Sequence, residues 1–369
     1  MNKLSQRGSK RLDINISDHV IIIALLIFWV ILIISNPAFQ KFAIFASIIK
    51  QASIYAVCGI GMTFAIISGA FDLSVASQIA LSSVIFTSIV IKIIPAAPGL
   101  GIVLTCVILI IMGLGMGLIN GLLIARLRIP AFIVTLAMQK IYRGLAQFVN
   151  NAPVPIATFG PEYQGFTSGG AKAITWNIGK FEVFYIKGFS FTKILGLPLF
   201  FYIMLALAIV GTIVLRKTRL GRNIIAIGNS REAARIAGIN IPNTETITFV
   251  LVGLFTALAG IMMTAHHGSS KYGVPTGTEF TVISAVVLGG TALAGGKGSI
   301  LNTVVASLFI ATIPTALTTF GVPNEIQGVF NGIILVFAFS INTIRTYADN
   351  ALVKYRAKRA TAAALKAES

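Results

Sequence analysis

Two acidic residues stand close to glycines within long apolar stretches of the sequence: Asp72, in SGAFDLSVAS, and Glu279, in GTEFTV. An ionised carboxylate inside a membrane is costly unless it is paired, hydrated or neutralised. For Asp72 the sequence leaves two roles open. It either caps a restarting helix, as Ser74 also could, or it belongs to a transport pathway or its gate.

Glu279 opens a glycine-rich run that contains Gly289 and Gly290 and ends in VVLGGTALAGGKG. Glycine is among the least favourable residues in a helix, so this run does not favour a straight one. The pattern predicts either close packing between helices or a broken helix at this place.

The letters GGKGS at the end of this run resemble a phosphate-binding loop without meeting its requirements. With Lys297 as the motif lysine, Thr291 stands where the first glycine belongs, and Gly298 stands where Ser or Thr is required. We therefore expect no ATP site and no cofactor in this chain, so that ATP and Mg²⁺ would be bound by a partner.

A basic segment, TRLGRNIIAIGNSREAARIAGIN (218–240), separates two apolar stretches. Asn229 with Glu232 three positions later resembles a capping box, and Gly238 is a typical helix stop. These signals predict a short helix over 230–237, inside an inner loop of about 216–242. Such a helix favours docking to a soluble partner over a plain solvated loop. The candidate contact residues are Arg222, Asn229, Ser230, Arg231, Glu232, Ala233, Ala234, Arg235 and Gly238.

The composition indicates a membrane protein. The chain has 369 residues, of which 56% are hydrophobic and 11% are charged, whereas a soluble domain has roughly a quarter charged residues. The two cysteines, Cys58 and Cys106, lie in apolar runs, which argues against a disulfide framework or a metal cluster. We find no catalytic constellation in the sequence, so we do not expect an enzyme.

The apolar runs predict an all-α, polytopic membrane protein with about ten transmembrane helices and broken segments. A weak inverted repeat is suggested by the glycine-broken acidic segments in the two halves. The spans are expected at 18–36, 42–69, 73–94, 100–125, 129–149, 194–215, 243–265, 280–295, 299–320 and 325–345. In the fourth span, Gly113, Gly117 and Gly121 form a small-residue stripe that predicts a helix packing face.

The distribution of Lys and Arg sets the orientation. The net charge is +18, and the basic residues gather between apolar runs, as the positive-inside rule requires, rather than in a nucleic-acid module. We therefore expect a tail over 1–17, a transmembrane domain over 18–345 and a basic tail over 346–369, with both termini cytoplasmic. The loop at about 150–193 is expected on the outside.

Four blocks of the sequence resemble the membrane permease subunits of bacterial ABC importers for ribose and related monosaccharides. The blocks are GMTFAIISGAFDLSVAS (61–77), PAFIVTLAM (130–138), TRLGRNIIAIGNSREAARIAGIN (218–240) and TEFTVISAVVLGGTALAGGKGS (278–299). They follow the order and spacing of that family, and the likeness extends over about residues 20–345. One departure is Thr281, which stands where the family commonly has a second acid after Glu279.

The resemblance implies the partners and the location. Two permease chains, usually identical, would form the channel in the bacterial inner membrane. An ATP-binding subunit would dock on the inside, and an extracytoplasmic sugar-binding protein would deliver substrate. The resemblance further implies that 218–240 couples the permease to the ATPase and that the translocation pathway or its gate involves Asp72, Ser74, Thr135, Glu279, Gly289 and Gly290.

Together these observations predict a channel-forming permease that imports a neutral sugar by alternating access. Two alternatives stay open. One is a secondary transporter driven by an ion gradient, for which Asp72 would be the candidate coupling acid. The other is a permease of the same system type that carries a nucleoside or an amino acid.

Overall fold

The computed structural model describes residues 16–93, 98–152, 154–155, 176–178, 181–183, 197–267, 269–270 and 277–323, with scattered positions between 326 and 340. Most of the predicted N-terminal tail 1–17, the tail 346–369, most of the loop 150–193 and most of the tenth span, 325–345, lie outside the described residues.

Helices dominate the described chain, which confirms the predicted all-α class. Their bounds are α1 (Ile16–Ser35), α2 (Phe42–Ile67), α3 (Val75–Ile93), α4 (Pro98–Ala125), α5 (Ala131–Val149), α6 (Leu199–Lys217), α7 (Arg219–Asn229), α8 (Arg231–Ile236), α9 (Ile241–His267), α10 (Thr278–Leu288) and α11 (Ile300–Thr319). Four short strands accompany them: β1 (Val154–Pro155) pairs with β4 (Ser269–Ser270), and β2 (Trp176–Ile178) pairs with β3 (Phe181–Val183), both antiparallel.

Five of these helices are long and apolar enough to cross a membrane. They are Phe42–Ile67, Leu104–Ala125, Leu199–Lys217, Ile241–His267 and Ile300–Thr319. Shorter apolar helices occupy Ile21–Ser35, Val75–Ser88 and Thr278–Leu288. The described chain is therefore a multi-pass bundle, as the apolar runs predict.

The candidate span over 280–295 is a broken helix in the structure, one of the two outcomes that its glycines predict. The helix there, α10, ends at Leu288 after 11 residues, a length of about 16 Å at 1.5 Å per residue, which is too short to cross a bilayer. Gly289 caps its C-terminus, and Gly290 turns the chain with a left-handed φ of 87°. The apolar run continues past Leu288, but its glycines end the helix.

Helices α2 and α9 occupy the centre of the bundle, with α4, α11 and α3 packed around them. The predicted glycine stripe on α4 faces α9. A Cβ on Gly117 would lie 2.3 Å from the carbonyl oxygen of Phe249, and one on Gly113 would lie 2.4 Å from Cβ of Ala257. The two backbones therefore approach more closely than alanine would allow, which confirms the predicted packing face.

The long helix α9 gives the bundle two distinct ends. Its N-terminus follows α8, and its C-terminus leads into β4, which pairs with β1. We refer to these as the α8 end and the β1–β4 end. The predicted inner loop and Val154–Pro155, near the start of the predicted outer loop, thus lie at opposite ends of the same helix.

Candidate functional site

The predicted short helix of the inner loop is present as α8, from Arg231 to Ile236. The capping residue lies one position later than the sequence predicted. The Ser230 Oγ accepts a hydrogen bond from the backbone N–H of Ala233 at 3.2 Å, whereas the Asn229 side chain donates to the carbonyl of Ile225. Asn229 is the last residue of α7, so its backbone is not free to act as the N-cap. Gly238, with φ of 78°, ends the segment as expected.

A second helix, α7, precedes α8 and was not predicted. Thr218 caps it by accepting from the backbone N–H of Gly221 at 3.2 Å. Ile224 and Ile227, three residues apart on this helix, are both buried. That spacing is the sequence signal that would have revealed an amphipathic helix.

The structure divides the predicted contact residues into a surface and a support. Ala234 is buried against Ile227 and Ile241, and it anchors α8 to the bundle. The other members of the predicted set are exposed: Arg222, Asn229, Ser230, Arg231, Glu232, Ala233, Arg235 and Gly238. We call this exposed group the α8 surface. Glu232 and Arg235, at 78% and 75% exposure, approach each other only to 3.9 Å.

One side chain of the α8 surface is tied to a spanning helix. The guanidinium of Arg231 donates from both of its terminal nitrogens to the two carboxylate oxygens of Glu245 on α9. The Glu245 side chain is only 8% exposed, while that of Arg231 is 61% exposed. A bidentate pair of this kind fixes orientation as well as distance, so the short helix and the spanning helix are joined by a stiff link.

Next to this pair lies a cavity of about 960 Å³ at the α8 end. Its walls are the C-terminal ends of α2 and α4, the start of α5, helix α8 and the start of α9. Arg128, on its wall, adopts a left-handed φ of 56°, which is uncommon for a residue with a side chain. Its charged lining residues are Arg128, Arg231, Glu232, Arg235 and Glu245.

Asp72 lies in a buried polar network rather than facing lipid. Its Oδ1 accepts from the backbone N–H of Ser74 at 2.8 Å and from the Ser74 hydroxyl at 2.5 Å. Its Oδ2 accepts from the side-chain amides of Gln78 at 3.3 Å and Asn120 at 3.2 Å. Ser74 precedes the first residue of α3, and its carbonyl accepts from the backbone N–H of Gln78. The Asp72 carboxylate thus orders Ser74, the residue that precedes α3, by accepting from its N–H.

The network extends from α3 through α4 to α5. Asn120 on α4 donates to the Ser74 hydroxyl at 3.0 Å. The Tyr142 hydroxyl on α5 lies within hydrogen-bonding distance of the Met116 carbonyl and of the Asn120 side-chain oxygen. Sequence analysis did not single out Gln78, Asn120 or Tyr142. The presence of amide side chains within apolar runs was the available signal.

Glu279 forms a second buried polar site, at the start of α10. Its Oε1 accepts from the Gln139 amide of α5 at 2.9 Å, and its Oε2 accepts from the backbone N–H of Gly277 at 3.2 Å. Arg143, one turn along α5 from Gln139, interacts electrostatically with the same carboxylate. Thr135, one turn before Gln139, is buried and donates to the Ala131 carbonyl. The carboxylate thus joins a half-length helix to α5.

The glycine-rich loop after α10 packs at the α8 end. The backbone N–H of Gly296 donates to the Ile67 carbonyl at 2.8 Å. A Cβ on Gly228 of α7 would lie 1.8 Å from the same carbonyl oxygen, and one on Gly289 would lie 2.8 Å from the Thr303 nitrogen. The run therefore does both things that the sequence left open: it breaks a helix and it allows close packing.

The chain is similar in sequence to known transport permeases. The family model described as branched-chain amino acid transport system / permease component matches residues 44–339. The ribose import permease protein of Escherichia coli strain K12 is 32% identical over 321 residues, which cover 87% of this chain and 92% of that protein. The ribose import permease protein of Bacillus subtilis strain 168 is 33% identical over 316 residues, covering 86% and 89%.

A third relative is named for the import of a different sugar. The galactose/methyl galactoside import permease protein of Escherichia coli strain K12 is 28% identical over 333 residues, covering 88% of this chain and 94% of that protein. No solved structure matches the chain.

Proposed function

The chain belongs to the transport-system permease family whose model it matches, and from this premise we propose that it is the channel-forming subunit of an ATP-driven importer for a monosaccharide such as ribose. Its apolar helices and its family make it a multi-pass protein of the inner membrane. The sugar assignment is supported by the relatives, which are named as ribose and galactose import permeases.

In this proposal the α8 surface receives a cytoplasmic ATP-binding subunit, and both termini lie on the same side. The observation that carries it is the Arg231–Glu245 pair. A partner that moves α8 would also move α9 through this link, and α9 packs along α2 and α4. A rigid-body step of this kind can open a pathway at one end and close it at the other.

The same proposal assigns the remaining partners. Two copies of the chain form the channel, and an extracytoplasmic sugar-binding protein delivers the substrate at the β1–β4 end. ATP and Mg²⁺ are bound by the ATP-binding subunit. The pathway or its gate runs past α5, which reaches two of the buried acids. Tyr142 of α5 bonds to Asn120, which donates to Asp72, and Gln139 of α5 donates to Glu279.

A second candidate substrate class is an amino acid or a nucleoside. The family description names branched-chain amino acid transport, and a charged substrate would need charged partners such as Glu279 and Arg143. An ion-driven transporter would instead need no ATPase and would use Asp72 for coupling. These alternatives are separated by the composition of the complex and by the substrate that stimulates it.

The decisive experiment purifies the tagged chain from its own membranes in mild detergent and identifies its companions by mass spectrometry. We expect a stoichiometric ATP-binding subunit. Reconstituted with the cognate binding protein, the complex should import radiolabelled ribose or a related monosaccharide only when ATP is present. A preparation without an ATPase that takes up solute with a proton or sodium gradient would overturn the proposal. Stimulation by leucine and not by sugars would replace the substrate class.

A further inference from the structure

Three basic side chains stand together where the spanning helix α6 ends and α7 begins. Arg216 and Lys217 are the last two residues of α6, and Arg219 is the first residue of α7. All three are exposed. We call this group the α6–α7 corner. No acidic residue lies between Glu182 and Glu232 in the sequence, so the neighbouring chain does not balance the three charges.

Tertiary contacts do not balance these charges either. Among the residues that the structure describes, no acidic side chain forms an ion pair with Arg216, Lys217 or Arg219. Arg126, an exposed cation at the same α8 end, instead donates to the side-chain oxygen of Asn243 at 2.7 Å. The α6–α7 corner therefore presents uncompensated positive charge to whatever surrounds the described chain.

The helix dipoles account for only part of this arrangement. A cation is favourable near a helix C-terminus, so Arg216 and Lys217 suit the end of α6. Arg219, however, opens α7, where the dipole disfavours a cation, and the first turn of α7 holds no acidic residue. A negative group from outside the chain would offset that repulsion.

The close packing of α7 on α6 holds the backbone of the corner in place. A Cβ on Gly221 would lie 2.0 Å from the Leu215 carbonyl oxygen, so the first turn of α7 lies directly against the last turn of α6. The Thr218 hydroxyl bonds to both helices, because it donates to the Val214 carbonyl at 2.6 Å and accepts from the Gly221 N–H at 3.2 Å. The backbone that carries the three cations is thus fixed before any ligand arrives.

An apolar stripe on α6 leads directly to the corner. Leu205, Ile209 and Ile213 are exposed and four residues apart, so they lie on one face of the helix. Lys217 is the next member of the same series, and Arg216 follows Ile213 by three residues. The distance from Leu205 to Lys217 is about 18 Å at 1.5 Å per residue, slightly more than half of a hydrocarbon core about 30 Å thick. The exposed face of α6 therefore combines an apolar stripe, about one leaflet long, with a basic end.

We propose that the α6–α7 corner binds the phosphate headgroup of an anionic phospholipid, whose acyl chain lies along Leu205, Ile209 and Ile213. The corner offers two guanidinium groups, whose geometry matches the oxygens of a phosphate, and one ammonium group. Basic residues immediately next to a spanning helix attract the anionic lipids of the inner leaflet. The charge selects the headgroup, and the apolar stripe distinguishes a lipid from a free anion.

A lipid held at this corner would also steady the support of the α8 surface. Ile227 of α7 packs against the buried Ala234 of α8, so a ligand that holds the start of α7 acts on the helix beneath the docking residues. The inference rests on the proposed function only in placing the α8 end at the cytoplasmic leaflet. It adds a lipid ligand and the residues that bind it.

Lipid titration followed by native mass spectrometry tests the proposal on the purified full-length chain in mild detergent. The probes are phosphatidylglycerol, which is anionic, and phosphatidylcholine, which is zwitterionic. We expect the parent protein to bind phosphatidylglycerol at least about tenfold more tightly, and Arg216→Gln/Arg219→Gln to weaken that binding by about tenfold. Equal binding of the two lipids by the parent protein would overturn the proposal.

The matched control is Arg126→Gln/Arg128→Gln, which removes the same two charges from the turn between α4 and α5. Its affinity for phosphatidylglycerol should stay within about twofold of the parent value. An equal loss in both double variants would mean that net charge, and not the corner, attracts the lipid. A third variant, Ile213→Asn, tests the stripe and should weaken binding of phosphatidylglycerol while leaving the three cations in place. Unchanged binding by this variant would remove the acyl chain from α6.

A protein partner is the other possible occupant of the corner. If Arg216→Gln/Arg219→Gln releases an ATP-binding subunit while the parent binds both lipids alike, the corner receives an acidic protein segment and the lipid assignment is overturned. The lipid titration uses neither ATP nor sugar. A failure to find an ATPase would therefore contradict the proposed function and leave the lipid result intact.

Discussion

The guanidinium of Arg231 donates two hydrogen bonds to the carboxylate of Glu245, from Nη1 to Oε1 at 2.5 Å and from Nη2 to Oε2 at 3.1 Å. The Glu245 side chain is nearly buried, whereas the Arg231 side chain is largely exposed. The pair therefore connects the protein surface at α8 with the packed interior at α9. A single contact of this geometry is suited to passing a displacement from a docked partner into the membrane helices.

Glu245→Gln tests that connection. The substitution keeps the shape of the side chain and removes its charge, so Arg231 should turn to solvent. Because Arg231 is mostly exposed, we expect a stability loss of only about 1 kcal/mol, below the usual value for a charged hydrogen bond. ATP-dependent uptake in proteoliposomes should fall severalfold. The melting temperature of the purified complex should fall only slightly, so the loss of uptake is not a loss of folding.

The matched control for Glu245→Gln is Glu232→Gln, on the exposed side of α8. This residue makes only a 3.9 Å contact with Arg235, so its neutral variant should leave the melting temperature unchanged. Equal melting and uptake for Glu245→Gln and the parent protein would contradict the role assigned to the pair.

The exposed charges of α8 give a second prediction. Glu232→Lys and Arg235→Glu should each reduce transport without loss of folding, because both side chains are available to a docked subunit. Surface changes of this kind alter stability by about 0.5 kcal/mol or less. Uptake and thermal melting are measured on the same preparations. Normal uptake by both variants would remove these residues from the docking surface.

The double variant Glu232→Lys/Arg235→Glu separates docking from the local ion pair. It restores opposite charges at the same spacing within α8, so any effect of the pair itself should disappear. We expect transport to stay low, since a partner would still meet reversed charges. Recovery to the parent rate would assign the effect to the helix and not to docking.

The Asp72 network supports a third prediction. In Asp72→Asn the amide oxygen can still accept from Ser74, so α3 should form and the chain should insert. The new amide nitrogen would replace the Oδ2 atom that accepts from Gln78 and Asn120. Three buried amide N–H groups would then face one another without an acceptor between them. We expect destabilisation of about 1–3 kcal/mol, measured as a lower melting temperature in detergent.

A compensating exchange checks this interpretation. In Asp72→Asn/Asn120→Asp the amide at position 72 can donate to the carboxylate at position 120, so a good part of the lost stability should return. Asn120→Asp alone places two carboxylates at hydrogen-bonding distance and should be the least stable of the three. If the double variant recovers stability but not transport, the charge at Asp72 has a role beyond capping. Recovery of neither would contradict the pairing.

The sequence was sufficient for features that depend on neighbouring residues. Apolar runs located the five described helices that are long enough to span a membrane, Gly238 marked the end of α8, and the α4 glycines predicted a packing face. The failures occurred where local signals competed. Asn229 and Ser230 are both good caps, and only the backbone of α7, which ends at Asn229, decides for Ser230.

Partners distant in sequence could not be predicted from local pattern. Asn120 is 48 positions from Asp72, and Gln139 is 140 positions from Glu279. Their meeting depends on how α3, α4, α5 and α10 pack, which no short motif encodes. An apolar run likewise does not show whether glycines inside it are packed or end the helix, as they do after Leu288.

Two glycines of α4, two residues apart, give the last prediction. A Cβ on Gly117 would lie 2.3 Å from the Phe249 carbonyl oxygen, whereas one on Gly115 would meet nothing within 4 Å. Gly115→Ala should therefore stabilise the helix by about 0.5–1 kcal/mol, the usual gain for alanine over glycine. Gly117→Ala should push α4 away from α9 and cost about 1–3 kcal/mol through overpacking.

Both variants share the helix, the membrane depth and the chemical change, so each serves as the control for the other. Thermal unfolding of the purified chain should move in opposite directions for the two. The α4–α9 contact joins the helix that carries Glu245 to the helix that carries Asn120, so Gly117→Ala should lower uptake as well. Identical shifts for the two variants would mean that close backbone approach does not hold these helices together.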